Sequence, residues 1–342
     1  MPGSGDWRKA VCRMIVSASR RTDIPAFYGP WFMNRIREGF ALIPNPHNPL
    51  HFSRVRLDSQ AAECIVFWSK NPEPFLPCLP EIEKRGIPFY FEFTITPYGG
   101  VWEGNVPEKR EMVSVFRRLS SVVGRERVIW RYDPVIVTED MPVAYHMQAF
   151  EELAEQMEGY TDRCLFSFLD MYPHIQSVMK SMGVLVPNDT DKRTAAAGFA
   201  VSAERHHIKL GACCEPCLQG IAGCMDAACI DPEDVGKVCG FPVRYRKDPG
   251  QRDLCRCMVS VDIGTYDSCR HGCLYCYASR RTHQEKMPVF FHNPVSPVLC
   301  GGLPPHAVIT DRPMPSAADR EISLFSCPGH GCCGQETDAA DD

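Results

Sequence analysis

The sequence predicts an α/β fold, a full or partial (β/α) barrel, with a Cys-rich C-terminal segment. Three observations predict it. Over the first 215 of the 342 residues, short apolar runs alternate with longer amphipathic ones, the rhythm of βαβ units with right-handed crossovers. The apolar runs are nearly continuous, as strands of a parallel sheet buried on both faces should be. The residues directly after the runs are polar, on the face where a barrel carries its functional side chains.

The predicted strands are 13–18 (RMIVSA), 64–69 (CIVFWS), 89–95 (FYFEFTI), 127–131 (RVIWR), 164–168 (CLFSF) and 208–213 (IKLGAC). Between them the pattern predicts helices at 31–38, 73–85, 107–123, 143–157 and 191–205. The second stops before Gly86. The third has Pro107 at its first turn and stops before Gly124, matching the preference for proline inside the start and glycine just past the end. A seventh strand, 258–263 (MVSVDI), directly precedes a group of cysteines. From about Gly211 to Gly250 the rhythm breaks into a Cys- and Gly-rich connection. The expected organisation is an extension at 1–11, one domain at 12–300 that includes the Cys-rich region 211–280, and a largely irregular tail at 301–342 ending in the acidic GQETDAADD.

Strand-end positions supply the candidate site residues. Ser19-Arg20-Arg21-Thr22-Asp23 follow the first strand, Lys70-Asn71 the second and Arg131-Tyr132-Asp133 the fourth. Asp170-Met171-Tyr172 follow the fifth, and Glu215 the sixth. Taken singly, each reads as well as a surface ion pair or rim packing. Five loops of the same character on one face favour a site.

Apolar residues make up 44% and charged residues 23% of the chain, which places it among globular proteins. The net charge of −5 gives no basic field to hold a nucleic-acid backbone, so a dedicated nucleic-acid binder is not favoured. No run approaches 18 apolar residues, so no membrane-spanning helix is expected. The opening MPGSGDWRKAVCRMIVSASRRTD lacks the layout of a secretory signal. A cytoplasmic location is the expectation.

Cysteine usage is unusual. Of nineteen cysteines, eleven lie between Cys213 and Cys276, and only Cys12, Cys64, Cys78 and Cys164 precede them. Without a secretory signal the thiols stay reduced, and a dense local cluster then favours metal over disulfides. Residues 267–278 read DSCRHGCLYCYA, so Cys269, Cys273 and Cys276 follow C-x3-C-x2-C. Three thiolates on one tight loop can hold three irons of a 4Fe–4S cubane and leave the fourth iron without a protein ligand. That iron can be chelated by the amino and carboxylate groups of S-adenosylmethionine (SAM), and an electron from the cluster then cleaves the sulfonium to a 5′-deoxyadenosyl radical. Gly272 lets the loop turn between ligands. The competing reading is a zinc knuckle using Cys255, Cys257 and two of the later three. The C-x-C spacing followed closely by a three-cysteine loop suits zinc poorly.

The stretch HGCLYCYAS resembles the cluster loop of radical SAM enzymes related to spore photoproduct lyase, and NPVSPVLCG (293–301) is similar to the segment that follows in that group. The chain also resembles a bacterial domain-of-unknown-function family over roughly residues 12–300. Members open with a segment like SASRRTDIPAFY (17–28), continue with counterparts of VFWSKNP, FYFEFTITPYG and VIWRYDP, and close with a Q-R-x-x-C-x-C…DIG…C-x3-C-x2-C block. Cys213, Cys229, Cys255 and Cys257 match cysteines that recur in that family. The resemblance implies that they form a second site, for Fe–S or zinc, or simply pack as buried thiols. Cys214, Cys217, Cys224 and Cys239 look like local extras. Radical SAM enzymes usually carry the cluster loop after the first barrel strand, whereas here it follows the last. The resemblance therefore implies a circularly permuted barrel in which 258–263 lies beside 13–18.

If so, Arg20, Arg21, Lys70 and Arg131 are candidates for pairing with the SAM carboxylate, and Asp133, Asp170 or Glu215 for its ribose or amino group. Asp23 is a further catalytic candidate and Tyr275 a further SAM contact. An external donor such as a flavodoxin or ferredoxin would supply electrons. The alternatives are a non-catalytic Fe–S or zinc protein for electron transfer or scaffolding, and a nucleic-acid lesion repair enzyme of the photoproduct-lyase type. The substrate is not legible.

Overall fold

The computed structural model describes residues 14–279 and 291–313. The expected 1–11 extension and the acidic end of the tail lie outside the described residues. In chain order the strands are β1 (Met14–Ala18), β2 (Phe40–Asn45), β3 (Asn48–Arg56), β4 (Ala62–Ser69), β5 (Phe89–Thr94) and β6 (Val128–Val135), followed by β7 (Arg163–Phe168), β8 (Lys209–Cys213), β9 (Cys224–Ala227), β10 (Val261–Asp262) and β11 (Val308–Asp311). The helices are α1 (Ile24–Phe27), α2 (Gly29–Glu38), α3 (Leu79–Lys84), α4 (Lys109–Val123), α5 (Val143–Met157), α6 (Gln176–Ser181), α7 (Asp189–Arg205) and α8 (Pro232–Cys239).

All seven expected strands form in one eight-stranded sheet, in the order β10-β1-β4-β5-β6-β7-β8-β9. Every neighbouring pair is parallel. As expected, β10 lies beside β1, with Val16 opposite Val261 and Ser17 opposite Asp262. The eighth member, β9, was not expected. Its four residues, CMDA, are too few, and broken by Asp226, to show as an apolar run.

Side chains leave the sheet alternately, and both faces are buried. One face presents Phe67, Phe89, Phe91, Phe93, Trp130, Tyr132 and Phe166 to the helices, where they meet Phe32, Phe75, Phe116, Phe150 and Phe199. Phe67 stacks on Phe91 at 4.9 Å and Phe150 on Phe199 at 4.6 Å. Each fully buried ring contributes about 1.5–3 kcal/mol. The other face presents Ile15, Cys64, Val66, Tyr90, Ile129 and Leu165, and these pack against Cys229, Ile230, Val235, Cys255, Cys257 and Met258. Residues 228–258 thus cover the inner face. Among the described residues β9 and β10 are not hydrogen-bonded to each other, so the full-barrel form of the expectation is corrected to an open parallel sheet. The physical reason is that both edge strands are short and the Cys-rich segment fills the space inside.

Several details differ from the pattern reading. Helix α2 starts at Gly29 instead of 31, and α4 starts at Lys109, so Pro107 precedes that helix and does not sit in its first turn. Residues 73–85 split into a 3-10 turn (Glu73–Cys78) and α3, because Pro77 has no amide hydrogen to donate. Helix α7 starts two residues early, where the Asn188 side chain accepts from the Asp191 amide. A hairpin of β2 and β3, joined in parallel by β11, forms a small second sheet. Pro44 and Pro49 interrupt its apolar alternation, so no strand signal stood out there, and β11 falls in the tail expected to be irregular. Among the described residues no helix is long and apolar enough to cross a membrane.

Candidate functional site

Parallel strands deliver the residues after their C-terminal ends to one side. There they enclose a cavity of about 620 Å³ with walls contributed by residues from Ser19 to Ala278. Cys269, Cys273 and Cys276 all line it, as do Arg20, Arg21, Asp23, Lys70, Arg131, Asp133, Asp170 and Tyr275. Glu215 is not part of the lining. Its carboxylate accepts from the Phe168 amide and from Lys192 Nζ, both at 2.8 Å, and so ties the end of β7 to α7.

The cysteine loop is held from three directions. Tyr28 Oη donates to the Ser268 carbonyl at 2.6 Å, and Tyr277 Oη donates to the Arg20 carbonyl at 2.5 Å. Asn105 donates through its backbone amide to the His271 carbonyl and through Nδ2 to the Arg270 carbonyl. His271 Nε2 lies 2.7 Å from Asp23 Oδ2. Gly272 turns with φ of +69°, the left-handed region that favours glycine. Gly264 allows the loop to leave β10 beside β1, since a Cβ there would stand 2.0 Å from Ser19 Oγ.

Burial pushes the Cys269 and Cys273 thiols up to about 12 and the Cys276 thiol up to about 11. Lys70 and Lys109 pull Cys273 the other way. Such thiols ionise only against a metal or a nearby cation. Three of them on one loop, lining one cavity with ammonium groups beside them, are a donor set of the kind that iron–sulfur groups take. Among the described residues no group of three or more His, Cys, Asp or Glu side chains takes the arrangement of a single-ion site.

Glu103 organises the cation side. Its carboxylate takes Lys70 Nζ and Thr96 Oγ1, each at 2.8 Å, and closer contacts from Lys109 Nζ and Tyr275 Oη. Burial works to raise its pKa, but the two lysines outweigh burial and hold it down to about 2. The lysines share it unequally: burial leaves Lys109 below its ordinary value, whereas Glu103 more than offsets burial at Lys70. Asp23 is likewise occupied, accepting from Ser69 Oγ and from the backbone amides of Ala26 and Lys70. Lys70 and Asp23 therefore position the loop more than they reach into the cavity.

The second set of cysteines also comes together. Cys213 Sγ lies 3.6 Å from Cys229 Sγ. Cys229, Cys257, Cys255 and Cys214 lie near enough to affect one another's ionisation in turn. Cys214, set aside in the sequence reading, thus belongs with the other four, and all five line the cavity. Every described cysteine is a free thiol. Arg131 Nη1 donates to Cys229 Sγ at 3.3 Å and also pairs with Asp133. The Arg20 guanidinium lies in the field of Cys257 and Cys229. Both arginines flank Trp68, at 5.1 Å (Arg20) and 4.8 Å (Arg131) from its centroid. Beneath them Glu92 is fully buried, and burial pushes its carboxyl up to about 8 despite Arg131.

Sequence reasoning missed Glu103, Trp68, Asp262 and His271. Trp68 sits inside an apolar strand, where it reads as core, and Glu103 sits in an irregular stretch with no periodicity. Asp262 accepts from Ser17, Ser19 and the Arg20 amide. Its position beside the cysteine motif was the one signal that could have singled it out.

Comparison with curated proteins gives no match. The model of one protein family does match, over residues 15–278, from within β1 to just past the third cysteine of the loop. The chain belongs to that family, a domain of unknown function designated DUF1848.

Proposed function

We propose that the chain is a radical SAM enzyme built on a circularly permuted partial (β/α) barrel, with a 4Fe–4S cluster held by Cys269, Cys273 and Cys276. The observation that carries this reading is the convergence of those three thiols with the ends of the parallel strands on one cavity of about 620 Å³, a volume within the usual range for small-molecule sites. When bound, the cluster would supply the electron that cleaves SAM to methionine and a 5′-deoxyadenosyl radical.

The chain's own residues then have separable tasks. Asp23, His271 and Glu103 fix the loop. Lys70 and Lys109 offset thiolate charge near Cys273. Arg21, one-third exposed, is suited to a carboxylate, and Asp133 and Asp170 line the wall for hydroxyl or amino groups. The free thiols suit a reducing compartment and an external one-electron donor of the flavodoxin or ferredoxin kind.

The test is anaerobic purification, iron and sulfide analysis, and incubation with dithionite and SAM. The reading expects 5′-deoxyadenosine, and loss of about four irons per chain together with that product when Cys269, Cys273 and Cys276 are all replaced by Ala. An intact cluster that yields no 5′-deoxyadenosine would overturn it in favour of an electron-transfer or scaffold role.

A further inference from the structure

Among the described residues Glu92 is the one side chain with two buried polar atoms that lack a hydrogen-bond partner, Oε1 and Oε2. It stands on β5 opposite Trp68 of β4 and is fully buried. Arg131 of β6 approaches it, with Nη1 3.8 Å from Glu92 Oε2. That guanidinium is committed elsewhere: Nη1 donates to Cys229 Sγ at 3.3 Å and Nη2 donates to Asp133. Arg131 Nε and Trp68 Nε1 are also buried without partners. An ionised carboxylate without a hydrogen bond is costly in such a place, and a neutral carboxyl is far less so. Trp68, Arg131 and Asp133 line the cavity, whereas Glu92 lies behind them.

We infer that Glu92 is a proton-controlled positioning residue for Arg131. While Glu92 is neutral, Arg131 holds Asp133 and Cys229 on the cavity wall. When Glu92 gives its proton to solvent, Arg131 closes the 3.8 Å gap to hydrogen-bond distance and lets Asp133 go. Asp133 then keeps Ser167 Oγ and turns an uncompensated carboxylate to the cavity. One buried ion pair replaces another, so the two arrangements lie close in free energy. The surrounding charges allow the exchange. Arg163 of β7, itself paired with Asp234 of α8, favours the ionised form along with Arg131, whereas Asp234 and Cys257 oppose it. Tyr90 on the same strand and Cys164 on β7 are pushed up by burial and stay neutral. Burial outweighs both arginines and pushes the Glu92 carboxyl up to about 8, which puts the exchange within reach of neutral pH.

The device stands independently of the radical SAM reading, and its test needs no activity. Arg131 lies 4.8 Å from the Trp68 centroid, so its movement is read at Trp68. Full-length protein labelled with fluorotryptophan is titrated between about pH 6 and pH 10, and the Trp68 fluorine resonance is assigned with Trp68→Phe. The wild type should show a Trp68 transition with its midpoint at about pH 8. Glu92→Gln should lack it. Asp133→Asn frees Arg131 for Glu92 and should move the midpoint down by about 1–3 pH units. Urea titrations check the sign. Because the folded pKa lies above the ordinary 4.5, wild-type stability falls as pH rises from 4.5 to about 8. Glu92→Gln lacks that fall, so its advantage over wild type should grow over the interval. No Trp68 transition in the wild type, one that persists in Glu92→Gln, or one that Asp133→Asn leaves in place overturns the proposal. So does an advantage of Glu92→Gln that does not grow with pH.

Discussion

Replacing Glu103 by Gln tests whether the cysteine loop is pinned by charge. The carboxylate is 1% exposed and joins Lys70, Lys109, Thr96 and Tyr275. Its pKa falls from 4.5 to about 2, so the folded state favours the ionised form by roughly 2.5 pH units, or about 3 kcal/mol. Gln keeps the shape but leaves two partly buried ammonium groups without a counter-charge. The expected loss of unfolding free energy is about 3 kcal/mol at pH 7, read from urea titrations. Because the folded pKa lies below the unfolded one, this contribution is complete above pH 4.5 and fades as pH falls towards 2. At pH 3 the difference between wild type and variant should shrink to roughly 1.5 kcal/mol. A loss below about 1 kcal/mol at pH 7, or one equally large at pH 3, would refute the reasoning.

His146 is buried, with Nδ1 placed to accept from Tyr132 Oη and Nε2 to donate to the Ile136 carbonyl. Burial lowers its pKa from 6.5 to about 4, so roughly 3 kcal/mol of stability present above pH 6.5 is lost as pH falls to 4. Urea midpoints of His146→Gln should lack that step, and an unchanged step would refute the assignment. Glu215→Gln should cost about 2 kcal/mol, since the carboxylate serves the Phe168 amide and Lys192, yet leave the iron binding proposed for the loop unchanged. Iron loss there would return Glu215 to the site. Gly264→Ala sets a methyl 2.6 Å from Ser19 Cβ and should cost about 1–3 kcal/mol while loosening loop iron. Wild-type iron content with wild-type stability would show that β10 and β1 need not approach so closely.

The large sheet was legible because its strands carry nearly unbroken apolar runs, and burial on both faces demands such runs whatever the partners. The position of β10 beside β1 was legible for another reason: the resemblance to enzymes that carry their cysteine loop after the first strand implied that 258–263 lies beside 13–18. The hairpin of β2 and β3 escaped because Pro44 and Pro49 break its pattern. β9 escaped because four residues, two of them exposed and one buried, carry almost no periodicity. In the site, thiols and strand-end cations could be named from position alone, but their division of labour could not. Lys70 read as a partner for the SAM carboxylate and Asp23 as a catalytic candidate, and their pairing with Glu103 and His271 was not legible. Those partners approach from segments far apart in the chain, and only tertiary packing brings them close.

The charge of the cavity joins these observations. The chain as a whole carries −5, yet six cations line the cavity, Arg20, Arg21, Lys70, Arg131, Arg252 and Arg256, four of them paired with carboxylates at or behind its wall: Lys70 with Glu103, Arg131 with Asp133, Arg252 with Asp170 and Arg256 with Asp226. Buried positive charge persists only where something negative meets it. The cations also lie close to the cysteines: Lys70 and Lys109 near Cys273, Arg131 and Arg20 near Cys229 and Cys257. On the proposed iron–sulfur reading, thiols held near pKa 11–12 by burial would ionise onto metal with these cations beside them. The cationic strand ends are thus first of all partners of sulfur. Arg21, stacked 4.9 Å from the Tyr266 centroid and one-third exposed, is the cavity cation whose position best suits an anionic group arriving from outside.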